Sequence, residues 1–149
     1  MPYAVDTSIT GANLSNHVMG LYRENWSRAH TATTAVTTQN IYNVTGSLLG
    51  SSGGLYIRVG GTVTGAGGAK TIALTFGGTT LATTGSLAGV ADFSFEAWLF
   101  NTTASAQRCL VVWSDHSNAT NFNQDYVTAA INTANNVTIA LVLTVATTT

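Results

Sequence analysis

Strict alternation of apolar and polar residues constrains this chain more than anything else in it. From Leu55 to Phe76 the sequence reads LYIRVGGTVTGAGGAKTIALTF, two alternating runs separated by small, glycine-rich residues. Successive side chains of a strand point to opposite faces. Leu55, Ile57 and Val59 therefore share one side of a first strand and Tyr56 and Arg58 the other. In the second run Ile72, Leu74 and Phe76 face inward, and Thr71, Ala73 and Thr75 outward. Thr64 to Ala69 supply backbone freedom and no reactive side chain, so the two runs are expected to pair as a hairpin at the centre of a β-domain.

The same period recurs along the chain. Thr31 to Asn40 reads as a Thr-rich strand, and Ile41, Tyr42, Val44, Leu48 and Leu49 as a second. Thr79 to Thr84 is a short strand after a Gly77-Gly78 turn, and Gly85 to Val90 a loop. Asp92 to Asn101 puts Phe93, Phe95, Ala97 and Leu99 on one face and Glu96, Trp98 and Phe100 on the other. A strand apolar on both faces is either central in a two-layer structure or covered on one side by another subunit, so the second face is a candidate interface. Gln107 to Trp113 is its expected antiparallel partner. Ser114 to Gln124 has no strand period and reads as an exposed polar loop. A weaker strand near Tyr126 to Ile131, a turn at Asn135-Asn136 and a last strand from Val137 to Val145 complete the pattern. Eight or nine short strands without a convincing helix indicate an all-β, jelly-roll-like antiparallel β-sandwich spanning residues 31–149. Residues 1–30 are irregular and read as a short N-terminal arm that carries Tyr3, Tyr22 and Trp26.

Composition narrows the function. Only 7% of the 149 residues are charged, against roughly a quarter in an ordinary soluble domain. Such a surface fits a protein whose faces are covered by neighbouring copies in an assembly. A net charge of −1 with five scattered basic residues argues against nucleic acid. No apolar run approaches the roughly 20 residues of a membrane span, and the first residues lack the pattern of a secretion signal. The expectation is synthesis in the cytoplasm and no membrane partner.

Chemistry is scarce. Three histidines and six acids leave Asp115-His116 as the closest grouping, and neighbours in an extended chain point apart, with no further ligand at metal spacing. Asp92 and Glu96 share a strand face but lie about 13 Å apart, beyond glycosidase range. Lys70-Thr71 opens a strand rather than the helix that a phosphate loop requires. Cys109, the single cysteine, sits in the apolar run CLVVW and reads as a buried hydrophobe. The expectation is no catalytic residue, no metal and no cofactor.

The order Ser47-Leu48-Leu49-Gly50, then Leu55 to Thr62, then Gly68 to Leu74, followed by the Trp98 and Gln107 strands, resembles small phage virion proteins with jelly-roll domains. The resemblance covers roughly Thr31 to Val145. It implies a capsid decoration, head-fibre or tail-fibre role, commonly as a homotrimer. The chain departs from a receptor-binding fibre in having no repetitive stalk or coiled coil, so the expectation is a decoration, or cement, protein bound to the major capsid protein of the virion. Tyr22, Trp26, Trp98 and Phe100 are the expected subunit or capsid contacts, because aromatic side chains dominate interface energetics. The alternative is a tail-fibre or adhesion domain that binds host-surface carbohydrate through a loop containing Asp115, His116, Asn118 and Phe122.

Overall fold

The computed structural model describes residues 36–65, 69–115 and 121–146. They form eight strands: β1 (Val36–Val44), β2 (Gly54–Val63), β3 (Lys70–Phe76), β4 (Thr79–Thr83), β5 (Ala91–Thr103), β6 (Ala106–Asp115), β7 (Asn121–Ala129) and β8 (Val137–Val145). The strands make two four-stranded antiparallel sheets, ordered β1-β8-β3-β4 and β2-β5-β6-β7. The all-β antiparallel sandwich expected from the alternation is the observed fold. As in a jelly roll, the chain passes between sheets in its first strands and β8 returns to lie between β1 and β3. The second sheet ends instead in the plain meander β5-β6-β7.

Each sheet contributes its apolar phase to one core. Ile57 and Val63 of β2, Phe93, Phe95, Ala97 and Leu99 of β5, and Cys109 and Val111 of β6 are buried against Ile72, Leu74 and Phe76 of β3, Leu81 of β4, and Val137 and Ile139 of β8. β1 keeps step through a bulge between Asn40 and Tyr42. An extra residue lets Ile41 and Tyr42 both pack on that core.

Three expectations are corrected. The runs Leu55 to Val59 and Ile72 to Phe76 do not pair with each other: β2 pairs with β5, while β3 pairs with β4 and β8. The two strands lie in different sheets. Period two fixes which side chains share a face, and it carries no information about which strand lies alongside. A single strand, β1, also occupies 36–44 where two were expected, and Leu48 and Leu49 fall in the turn that follows. The third concerns the polar segment Ser114 to Gln124, treated below.

The hairpin that does form is β3-β4. Phe76 pairs with Thr79, leaving Gly77 and Gly78 as its two central residues, at φ 56° and 82°. Positive φ at both centres is the turn whose twist matches a two-residue hairpin.

At one end of the sandwich a buried polar cluster ties loops to strands. The Asn101 side-chain amide donates to the Gly50 carbonyl and to Thr133 Oγ1, each at 2.7 Å, and the Thr133 hydroxyl donates to the Ala104 carbonyl at 2.9 Å. Gln107 is 1% exposed. Its Nε2 donates to the Ile131 carbonyl and its Oε1 accepts from the Ile131 N–H, both at 2.9 Å. The connection from β7 to β8 is thereby fastened to the start of β6.

Candidate functional site: the outer face of the second sheet

The residues of β2, β5, β6 and β7 that turn away from the core form rows set by strand register. Tyr56 pairs with Trp98, Trp98 with Leu110, and Leu110 with Tyr126, so one row of large side chains crosses all four strands. On one side of it runs Gly54, Phe100, Arg108 and Thr128; on the other, Arg58, Glu96, Val112 and Gln124. One row further on are Gly60, Ser94, Ser114 and Phe122. At about 4.8 Å between strands the aromatic row is about 14 Å long.

Much of this face is open to solvent. Tyr56, Phe100, Tyr126 and Phe122 are 54%, 53%, 56% and 82% exposed, and Leu110 is 43% exposed. Trp98 is half-buried, with its ring centroid 5.2 Å from that of Tyr56 at an interplanar angle of 38°. An exposed apolar patch built from adjacent strands is the usual mark of an interaction surface, because covering it releases ordered water and lowers the free energy.

Two of the charges within the patch are paired. Arg58 Nε lies 3.2 Å from Glu96 Oε1, and the Tyr56 hydroxyl donates to Glu96 Oε2 at 3.1 Å. An exposed pair of this kind contributes about 0–1 kcal/mol to folding, so its importance lies in balancing the Glu96 charge, while Arg108 on the neighbouring row is exposed and has no ion pair among the described residues. Loss of water raises the Tyr56 phenol above its ordinary value, reinforced by the hydrogen bond and negative charge of Glu96 and opposed by Arg58. The phenol therefore stays a donor throughout the neutral range.

Trp98 and Phe100, expected as interface contacts, lie on this face. Tyr22 and Trp26 lie outside the described residues. The carbohydrate loop expected from Ser114 to Gln124 is corrected: β6 runs on to Asp115 and β7 begins at Asn121. Asp115 is buried, not solvated, and its Oδ2 accepts from the Gly85 N–H at 2.9 Å. His116 and Asn118 lie outside the described residues. Phe122 belongs to β7, on the register row of Ser94 and Ser114, and so joins Trp98 and Phe100 on one face.

Tyr56, Leu110, Val112 and Tyr126 are the face residues that sequence reasoning missed. The signal was the second apolar phase of β6, Leu110 and Val112 out of step with Cys109 and Val111. It becomes a surface only once register sets it beside Trp98.

Among the described residues no group of three or more His, Cys, Asp or Glu side chains is placed to hold a metal ion. No described helix is long and apolar enough to cross a membrane.

Cys109 is free and buried in the core under this sheet. Burial pushes its thiol up to about 11 from 9.0. Since the folded chain holds the proton more tightly than the unfolded chain, this group's stabilisation is complete below pH 9 and is lost as pH rises from about 9 to about 11. The native thiol is expected to resist a disulfide reagent at pH 8 and to react at once in denaturant; immediate reaction of the native protein would contradict its burial.

Comparison with protein-family models, curated proteins and solved structures returns no match.

Proposed function

We propose that this is a non-enzymatic structural protein of a bacteriophage virion, a capsid decoration protein in which the outer face of the second sheet is a contact between neighbouring subunits. The observation that carries the reading is that face: a large apolar row crossing four strands, with few charges beside it, on a chain with 7% charged residues. A protein that binds only the assembled shell stabilises that shell by linkage, without any chemistry of its own. The resemblance to phage virion proteins supplies the particle, and the residues 1–30 are proposed as the contact with the major capsid protein.

Quantitative mass spectrometry of purified particles tests this reading. Hundreds of copies per particle are expected for decoration; a dozen or so would move the protein to a fibre or tail, and absence would end the virion reading. Trp98→Ala is expected to weaken retention on particles at least tenfold, about 1.4 kcal/mol. Trp98 is only half-buried, so the fold should survive. Unchanged retention would remove Trp98 from the interface.

Carbohydrate recognition is the second reading, favoured by the exposed rings of Tyr56, Tyr126 and Phe122 on the same sheet face as Glu96, whose carboxylate accepts from Tyr56. It would place the sugar on the sheet face, since Asp115 is turned inward to Gly85. A glycan array with the folded protein decides it.

A further inference from the structure

We infer that the occupant of the outer face of the second sheet is the same face of a second copy of this chain, packed sheet on sheet about a two-fold axis that runs along the row Tyr56, Trp98, Leu110 and Tyr126. This deepens the reading of that face as an interface and does not depend on the virion.

The argument starts from complementarity. Glu96 is bonded by Arg58 and Tyr56, and Arg108, exposed on the same face, has no ion pair among the described residues. A largely apolar sheet surface with one spare cation is matched by another that offers apolar rings and a carboxylate, and this chain provides one. Stacked sheets lie about 10 Å apart with strands nearly aligned, a distance filled by Trp, Tyr and Leu side chains from both sides.

The register then selects the axis. A two-fold along the row lays Tyr56, Trp98, Leu110 and Tyr126 of each copy on their own counterparts. It also lays the row Gly54, Phe100, Arg108 and Thr128 over the row Arg58, Glu96, Val112 and Gln124 of the other copy. Arg108, exposed on β6, then sits across from the partner's Val112, offset sideways by one strand spacing, about 4.8 Å, from the position opposite the partner's Glu96, with the sheets about 10 Å apart. The same contact forms twice, as an isologous interface requires. Turning the axis parallel to the strands would instead set Arg108 rows against Arg108 rows.

The size is sufficient. Four strands across and nine residues along, the face measures roughly 19 by 30 Å, and two such faces bury on the order of 1,200 Å², the lower end for a specific interface. Flat faces stacked in this way close with two copies, which departs from the homotrimer implied by the resemblance.

The test uses the purified full chain with no particle present. Sedimentation equilibrium should give twice the chain mass of 15.4 kDa at high concentration. Leu110→Glu should yield a monomer whose melt matches that of the wild-type chain diluted to its monomer, and Arg108→Glu should weaken the dimer about tenfold while Arg108→Lys does not. Leu110→Cys, on the axis, should cross-link to itself with a short bis-maleimide, while Ser86→Cys, exposed in a loop away from this face, should not; native Cys109 is buried. A chain that stays monomeric at every concentration, a trimer indifferent to Leu110→Glu, or a monomer that binds glycans or particles through this face would overturn the inference. A dimer alongside absence from particles would sustain it while ending the virion reading.

Discussion

Phe95→Ala is expected to cost about 3–5 kcal/mol of folding free energy, the range for removing a fully buried phenylalanine and leaving a cavity. Phe95 is 0% exposed, at the centre of the inner face of β5, with the ring of Phe93 at 5.9 Å. Against a typical domain stability of about 5–15 kcal/mol, the variant should unfold at a much lower urea concentration with a similar slope. Phe100→Ala, five residues along the same strand, is the control. Its side chain lies on the opposite, exposed face, and the cost to the isolated chain should stay below about 1 kcal/mol. Equal costs at the two positions would mean that the core had been assigned to the wrong phase of β5.

Gln107→Leu is expected to lose about 2–4 kcal/mol although it keeps most of the side-chain volume. The loss comes from the two Ile131 backbone groups, each bonded by the Gln107 amide at 2.9 Å. Removing their partner exposes each to a desolvation cost of about 1–3 kcal/mol. Gln107→Glu separates this from simple packing. It keeps an acceptor for the Ile131 N–H but turns a second oxygen toward the Ile131 carbonyl, which favours a protonated acid. The folded pKa of the new acid should be raised, so the variant should be most stable at low pH and weaken as pH rises through that value. A pH-independent loss equal to that of Gln107→Leu would assign the effect to shape alone.

The phase of the strands was legible in the sequence, and their partners were not. Alternation placed Ile57, Leu74, Phe76, Phe95 and Leu99 in the core and the two glycines of Gly77-Gly78 in a turn, because each of these is settled by a few neighbouring residues. The β2-β3 hairpin failed because a glycine-rich segment can reverse a chain within one sheet or carry it to the other with equal ease. Which it does depends on residues far away: β2 finds β5 and β3 finds β8. The candidate site suffered from the same gap. Trp98 and Phe100 stood out as apolar residues in the wrong phase, but Tyr56, Leu110 and Tyr126 joined them only through register. The start of β7 was missed for a different reason: an edge strand written in Asn, Gln, Asp and Thr, NFNQDYVTA, looks like a loop.

The position of β8 also sets an order of assembly. The second sheet is largely a meander, β5 to β6 to β7, whose pairings close short loops and can form early. The first sheet cannot be completed in that way. Its two interior pairings, β1 with β8 and β8 with β3, both await the strand that comes last among the eight. On the ribosome, β1 and β3 must therefore wait with their inner edges unfilled until β8 emerges, and a pause in translation just before Val137 would lengthen the interval in which those edges are open to other chains.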